Sequence, residues 1–510
     1  LHLGRDRLGE KPLYYGWVGK TFLFGSELKA LKAHPHFRAE INRDALALYM
    51  GYSYIPTPYT IYQGIYKLPP ASVLTLRSSS PEEAKLERYW SAKLAAESGI
   101  ANPFTGSETE AIANLDALLR DAVRLRMMAD VPLGAFLSGG IDSSTVVALM
   151  QAQSSQPVKT FSIGFYEDGY DEAQQAKAVA QQLGTDHTEL YVTPEEAMGV
   201  IPKLPTIYDE PFADSSQIPT FLVSQLARQQ VKVSLSGDGG DELFAGYNRY
   251  FWGSSIWQKI GWMPQTWRQM AASALTSLSP ETWDRAYNPL KAFLPSQLKQ
   301  RQLGDKLHKL AEVLLGVPDS QTFYRNLVSH WKNPESLVLG SSQFPVDEVC
   351  WTKGWDFVQQ IMYLDTVTYL PDDILVKVDR ASMGVSLEAR VPLLDHRLVE
   401  FAWRLPQSLK ILNGQGKWLL RQVLYQYVPP SLMERPKMGF QVPIKRWLRG
   451  ELRDWAEALL NEGKLKQEGF FNPQPIRQKW AEYLAGIHSW QYYLWDVIMF
   501  EAWLEENYSS

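Results

Sequence analysis

The chain has 510 residues, too many for one ordinary domain and enough for about two to four, and its 45% hydrophobic and 21% charged residues exclude a disordered protein. With 51 Lys+Arg against 56 Asp+Glu the net charge is −5, which argues against a nucleic-acid backbone as the main partner. A single cysteine, Cys350, excludes an internal disulfide framework and a cysteine-type zinc cluster, and no run of ~18 apolar residues offers a membrane-spanning helix.

The chain opens Leu1-His2-Leu3-Gly4-Arg5-Asp6-Arg7, a strand entering a polar turn, without methionine, basic stretch or apolar leader. So abrupt a start reads as a piece cut from something longer rather than as a processed terminus. Up to about residue 95 the texture is short strands and turns. Strands are expected at 13–16 and 21–24, a short helix at 27–32, and a strand at 72–76 after loops carrying Pro56, Pro58, Pro69 and Pro70. Ser78-Ser79-Ser80-Pro81 breaks the pattern, and the stretch to about 108 reads as linker.

At 109–128 the period changes, with Ile112, Leu115, Leu118, Leu119 and Leu125 at helical spacing. Strands then alternate with helices: strand 131–137, helix 141–151, strand 160–165, helix 171–183, strand 188–192, helix 218–229 and strand 231–235. That alternation implies a parallel sheet with helical crossovers, an α/β fold. Beyond about 243 no clear strand is expected, only helices punctuated by prolines and rich in tryptophan. The aromatic stripe at 490–503 has helical spacing and reads as packing surface.

Two loops could carry chemistry. Ser138-Gly139-Gly140-Ile141-Asp142-Ser143-Ser144 lies between an apolar strand and a helix, where backbone N–H groups and the helix dipole attract an anion. Its glycines allow close approach, its serines add donors, and Asp142 can hold a cation that bridges phosphates. It lacks the lysine of a Walker A loop, and its blander reading is an N-cap turn. Ser236-Gly237-Asp238-Gly239-Gly240-Asp241-Glu242 ends a second strand of the same sheet. Ligands gather at the carboxyl ends of such strands, so both loops are expected to face one site, with Asp142 and Asp241 as oxygen ligands for Mg²⁺. Glu242 reads as a solvated carboxylate, and His187 and His396 as ordinary polar residues.

The first loop resembles the pyrophosphate loop of the N-type ATP pyrophosphatases, and the second is similar to a signature of the glutamine-hydrolysing asparagine synthetases. Asp209-Glu210-Pro211-Phe212-Ala213-Asp214-Ser215-Ser216 and Val376-Lys377-Val378-Asp379-Arg380-Ala381-Ser382-Met383 continue the likeness. Ser386-Leu387-Glu388-Ala389-Arg390-Val391-Pro392-Leu393-Leu394-Asp395 and Arg435-Pro436-Lys437-Met438-Gly439-Phe440 follow in family order. Gly4-Arg5-Asp6-Arg7-Leu8-Gly9-Glu10-Lys11-Pro12-Leu13-Tyr14-Tyr15 looks like the late part of the family's glutaminase domain.

The resemblance implies residues 1–95 as the β-rich C-terminal remnant of a type 2 (Ntn) glutamine amidotransferase domain. Residues 96–510 would be an ATP pyrophosphatase (adenine nucleotide alpha hydrolase-like) synthetase domain with a large helical C-terminal part. It implies ATP as co-substrate with Mg²⁺, aspartate as acceptor, and nitrogen from glutamine or, lacking the N-terminal cysteine nucleophile, only from ammonia. The expected setting is cytoplasmic, with small-molecule partners, no membrane, no nucleic acid and a possible homodimer. Phe136 and Ile163 would frame adenine through their backbones, although as side chains they read as core. Ser138, Gly139, Gly140, Asp142, Ser143, Ser144, Ser236 and Gly237 would hold the nucleotide. Asp238 stands where some members carry a glutamate tied to adenylate formation, and Lys417 matches a lysine that stabilises the transferring phosphoryl group, its blander reading being a solvated helix-terminal cation. Lys377, Glu388 and Arg390 are open between substrate contact and ion pairing. The rivals are a β-lactam synthetase-like or polysaccharide- or peptide-modifying amidotransferase, a tRNA-modifying ATP pyrophosphatase, and a non-catalytic relic.

Overall fold

A computed structural model describes residues 1–77, 84–166, 173–260, 262–287, 319–342, 351–434 and 442–508, with 304, 307, 311 and 314. The Ser78–Pro81 break, Cys350 and the Arg435–Phe440 motif lie outside the described residues. The chain forms two compact units, one of residues 1–246, 333–348 and 362–510, the other of 247–332 and 349–361.

The N-terminal strands of the larger unit make two small antiparallel sheets. β1 (His2–Gly4), β5 (Ser72–Leu76) and β6 (Ala84–Arg88) pair in the order β1-β5-β6. β2 (Tyr14–Val18), β3 (Thr21–Gly25) and β4 (Ile65–Lys67) pair in the order β3-β2-β4. Within the turn after β1, Asp6 accepts from the N–H groups of Leu8, Glu10 and Lys11, and Arg5 donates to the carbonyls of Lys11 and Leu68. Helix Arg43–Tyr52 was not expected from the sequence. Its start is set by Asn42, whose side chain accepts from Asp44 and Ala45 N–H at 3.1 Å.

The expected linker before 108 is corrected. β6 occupies its first part, and helix Ala92–Ala101 follows, capped by Ser91. The helix is alanine-rich and gains its burial from a partner distant in sequence: a Cβ on Gly99 would lie 2.7 Å from the Trp403 backbone. Helix Glu108–Arg126 then starts on a full capping box, Ser107 with Glu110.

The central sheet is parallel throughout, in the order β11-β10-β7-β8-β9. Its strands are β7 (Leu133–Phe136), β8 (Lys159–Phe165), β9 (Asp186–Val192), β10 (Val233–Leu235) and β11 (Glu388–Arg390). Four match the expected alternation, with ends moved by one or two residues. β11 corrects the expectation of no strand beyond 243: three residues with a charge at each end show no strand pattern, and their extension comes from pairing with β10. The Glu388–Arg390 ion pair at 2.7 Å and Arg390 bonds to the carbonyls of Arg126 and Met128 give those two residues a structural task on this edge.

From β7 the chain moves outward through β8 to β9, then returns so that β10 lies on the other side of β7. The crevice between β7 and β10 is therefore the point where strand order reverses, the usual ligand position in such sheets. The tail helix Gln491–Tyr508 fully buries Trp495 and Trp503, as its aromatic spacing implied.

The smaller unit contains helices Asn248–Ile260, Gln265–Thr276, Pro280–Tyr287 and Ser320–Val328. Ala272, Ala311 and Leu314 form a core there, and Trp257, Phe323 and Phe357 meet at ring separations of 5.6–6.3 Å.

Candidate active site

The Ser138 loop leaves β7 and turns directly into helix Ile141–Ala152. Gly139 has φ +68°, and a Cβ there would lie 2.8 Å from the Ala176 backbone nitrogen, so this position needs glycine twice over. The first intrahelical bond runs from Ser144 N–H to the Gly140 carbonyl at 3.0 Å. The N–H groups of Ile141, Asp142 and Ser143 precede it and belong to the helix end that favours anions. Ser138 and Ser143 share their hydroxyls at 3.0 Å. Ser144 is fully buried, which leaves its hydroxyl the least placed of the three to meet a ligand.

The second loop leaves β10, the strand beside β7, with Leu235 opposite Ala135. The two loops interlock. A Cβ on Gly237 would lie 2.5 Å from Ser143 N, and one on Gly240 would lie 2.3 Å from Asp142 Oδ1. Ser236 N–H donates to the Arg390 carbonyl at 2.9 Å, and its hydroxyl donates to Asp238. Loss of water pushes the Asp238 carboxyl up from its ordinary range, with Asp241 adding to the effect; the Ser236 bond and the charges of Lys377 and Lys417 oppose it.

Lys417 comes from far along the chain to the same place. It caps helix Trp418–Leu424 in the left-handed region, φ +60°, with its N–H held by the Phe244 carbonyl at 2.8 Å. Its ammonium bonds Asp142 and lies 2.8 Å from Asp241 Oδ1. The Lys417 side chain is only 7% exposed, against 16% for Asp142 and 17% for Asp241, so it is not a solvated terminal cation. Burial opposes its charge, but the two aspartates outweigh burial and raise its pKa above the usual lysine range.

Asp142, Ser138, Gly139, Gly140, Ser143, Ser236, Gly237, Asp238, Asp241 and Lys417 therefore meet at one crevice. Phe136 ends β7. Ile163 stands on β8 two residues beyond Phe161, the partner of Phe136, which sets it level with the Ser138 turn; its side chain is core. Lys377 is buried and bonded to Asp214 at 2.7 Å, with Asp373 and Asp238 adding to the field that keeps it charged. Glu242 is buried rather than solvated. His187 lies between Thr160 and Ser162 hydroxyls, at 2.9 and 3.1 Å, an ordinary polar setting.

Gly246 escaped the sequence reading. A Cβ there would lie 2.0 Å from both Asp241 Oδ1 and Lys417 Cε, so the absence of a side chain makes room for the pair. A lone glycine in sequence carries no such signal. Asp372 and Asp373 were missed as well; both are buried on a π-helical turn, Leu370–Ile374.

The residues suit a divalent cation that arrives with an anion. Two carboxylates already share one positive charge, and no group of three or more His, Cys, Asp or Glu that could hold a metal ion exists among the described residues. Oxygens from a ligand would have to complete the shell.

A parallel sheet whose reversal point is flanked by two interlocked glycine loops, two aspartates and a buried lysine defines a class: α/β proteins with a charged crevice at the carboxyl ends of their strands. Comparison with known proteins makes it particular. Residues 114–505 match the asparagine synthase family model, and residues 1–90 match that of the glutamine amidotransferase domain. The chain is 31% identical over 508 residues to a glutamine-hydrolysing asparagine synthetase of Bacillus subtilis, covering 99% of this chain and 75% of that one. A putative asparagine synthetase of Mycobacterium tuberculosis is 32% identical over 523 residues, at 99% and 74% coverage. An amidase of Penicillium rubens is 28% identical, at 91% and 71% coverage. The chain belongs to the asparagine synthase family.

Proposed function

We propose that the chain is an ATP-dependent carbon–nitrogen ligase that amidates L-aspartate to L-asparagine. Residues 96–510 form its ATP pyrophosphatase synthetase domain, and residues 1–95 the C-terminal part of an Ntn-type glutamine amidotransferase domain. In the first step a β-carboxylate oxygen attacks the α-phosphorus of ATP and pyrophosphate leaves. In the second, ammonia attacks the acyl carbon of the adenylate, AMP departs and a proton is released. Nitrogen comes as ammonia, or from glutamine where a glutaminase site supplies it.

The residues divide the work by position. N–H groups of the Ser138–Ser144 loop bind the leaving phosphates, with Ser143 and Ser138 orienting one another. Ser236 and Gly237 line the nucleotide from the other loop, and the backbones of Phe136 and Ile163 border the adenine. Mg²⁺, held by Asp142 and Asp241, supplies charge neutralisation of the phosphates when bound. Lys417 stabilises the charge of the transferring group. Asp238 holds the Ser236 hydroxyl and so fixes the second loop beside the reacting carboxylate.

One observation carries this reading: Lys417 meets both Asp142 and Asp241 where the loops after β7 and β10 interlock. The test is product analysis with ATP, Mg²⁺, ammonia and aspartate. Asparagine, AMP and pyrophosphate in equal amounts are expected. ADP and phosphate, or amidation only of a different carboxylic acid, would overturn the assignment.

A further inference from the structure

We propose that the Lys417 ammonium is a tethered cation that occupies the place between Asp142 and Asp241 while nucleotide is absent, and that it must leave before a divalent ion can enter. The inference rests on reading the site as an ATP–Mg²⁺ site and adds to it an order of binding.

The tether is built from several parts. The ammonium bonds both carboxylates. The Lys417 backbone is pinned by its N–H to the Phe244 carbonyl, three residues beyond Asp241, which keeps the root of the lysine side chain beside that aspartate. Left-handed backbone at a non-glycine residue costs energy and persists only where surroundings enforce it. Gly246 leaves the space in which Lys417 Cε lies against Asp241.

Charge then sets the order. Asp142, Asp241 and Lys417 together leave a single negative charge, with Asp238 beside them offset by Lys377, too little to draw a divalent ion into a half-buried crevice beside a fixed ammonium. Polyphosphate brings at least three negative charges, enough for both cations. With phosphate present the ammonium moves to an oxygen of the nucleotide and frees the carboxylates. Metal alone therefore binds weakly, and metal and nucleotide bind together.

The experiment is a Mn²⁺ titration of the full 510-residue chain, free Mn²⁺ being read by electron paramagnetic resonance, with and without a non-hydrolysable ATP analogue. Without nucleotide, Lys417→Met should bind Mn²⁺ about 10-fold or more tighter than the wild type, a coupling of ordinary size. Lys417→Arg, which keeps the charge, should bind as weakly as the wild type. Equal affinity in Lys417→Met and wild type would overturn the tether while leaving the ATP–metal reading standing. If wild type gains no Mn²⁺ affinity when the analogue is present, the ATP–metal reading itself falls. Should Lys417→Met fail to fold, Lys417→Gln, which also removes the charge, decides by the same comparison without the analogue: Mn²⁺ affinity equal to wild type overturns the tether, and a gain of about 10-fold or more supports it.

Discussion

Replacing Gly237 by alanine puts a methyl carbon 2.5 Å from Ser143 N, 2.8 Å from the Asp142 carbonyl carbon and 2.9 Å from Ser143 Cα. All three atoms are backbone, in the first turn of a buried helix, and cannot rotate away. Ordinary contact begins near 3.4 Å, so the two loops must separate by about 1 Å. Overpacking of this kind costs about 1–3 kcal/mol of stability. A displacement of about 1 Å between groups that act together costs about 10²-fold in rate. Gly51→Ala is the control. Its new Cβ would meet only Pro334 Cγ at 4.0 Å within helix Arg43–Tyr52, and alanine there should stabilise by about 0.5–1 kcal/mol. Urea denaturation gives the stabilities, and aspartate-dependent ATP–pyrophosphate exchange gives the rate. A Gly237→Ala protein with wild-type stability and exchange within about twofold of wild type would refute the interlocked loops.

Asp142→Asn removes one of the two carboxylates on the proposed cation and should lower exchange by about 10²–10³-fold; near-normal exchange would remove Asp142 from the site. Lys67 and Glu210 form a buried pair at 2.7 Å. Lys67→Met should cost about 3–5 kcal/mol by leaving Glu210 unpaired, and adding Glu210→Gln should recover most of it, as read by denaturant midpoints. Glu10 has a different sign. Burial raises its carboxyl to about 7, a rise that Arg126 at 2.6 Å opposes without reversing. A folded pKa above the unfolded value means that its contribution to stability is complete below about 4.5 and is lost as pH rises to about 7, an effect of at most ~3 kcal/mol. Glu10→Gln should therefore flatten the stability–pH curve between those values; an unchanged curve would deny the burial effect.

The readable part of the site was local. Both glycine loops stand as contiguous residues after apolar strands, so strand and turn, and for the Ser138 loop the helix N-terminus as well, could be seen together. Lys417 could be named only through resemblance, because nothing near Gly416 and Trp418 announces that its ammonium lies between carboxylates from distant segments. β11 was hidden for a related reason: Glu388-Ala389-Arg390 is strand only because β10 pairs with it. Helix Ala92–Ala101 was hidden because alanine contributes little apolar signal, while its packing on the Trp403 backbone depends on tertiary proximity. Gly246 shows the limit most clearly. Its task is to be empty space beside Asp241 and Lys417, and the space belongs to the fold.

The central claim is that the loops after β7 and β10 form one site for ATP and a carboxylate acceptor. Its most direct measurement is exchange of labelled pyrophosphate into ATP by the 510-residue chain, with ammonia and glutamine withheld. Exchange that requires both Mg²⁺ and aspartate is predicted. Exchange without aspartate, or its absence when Mg²⁺, ATP and aspartate are all present, would contradict the account.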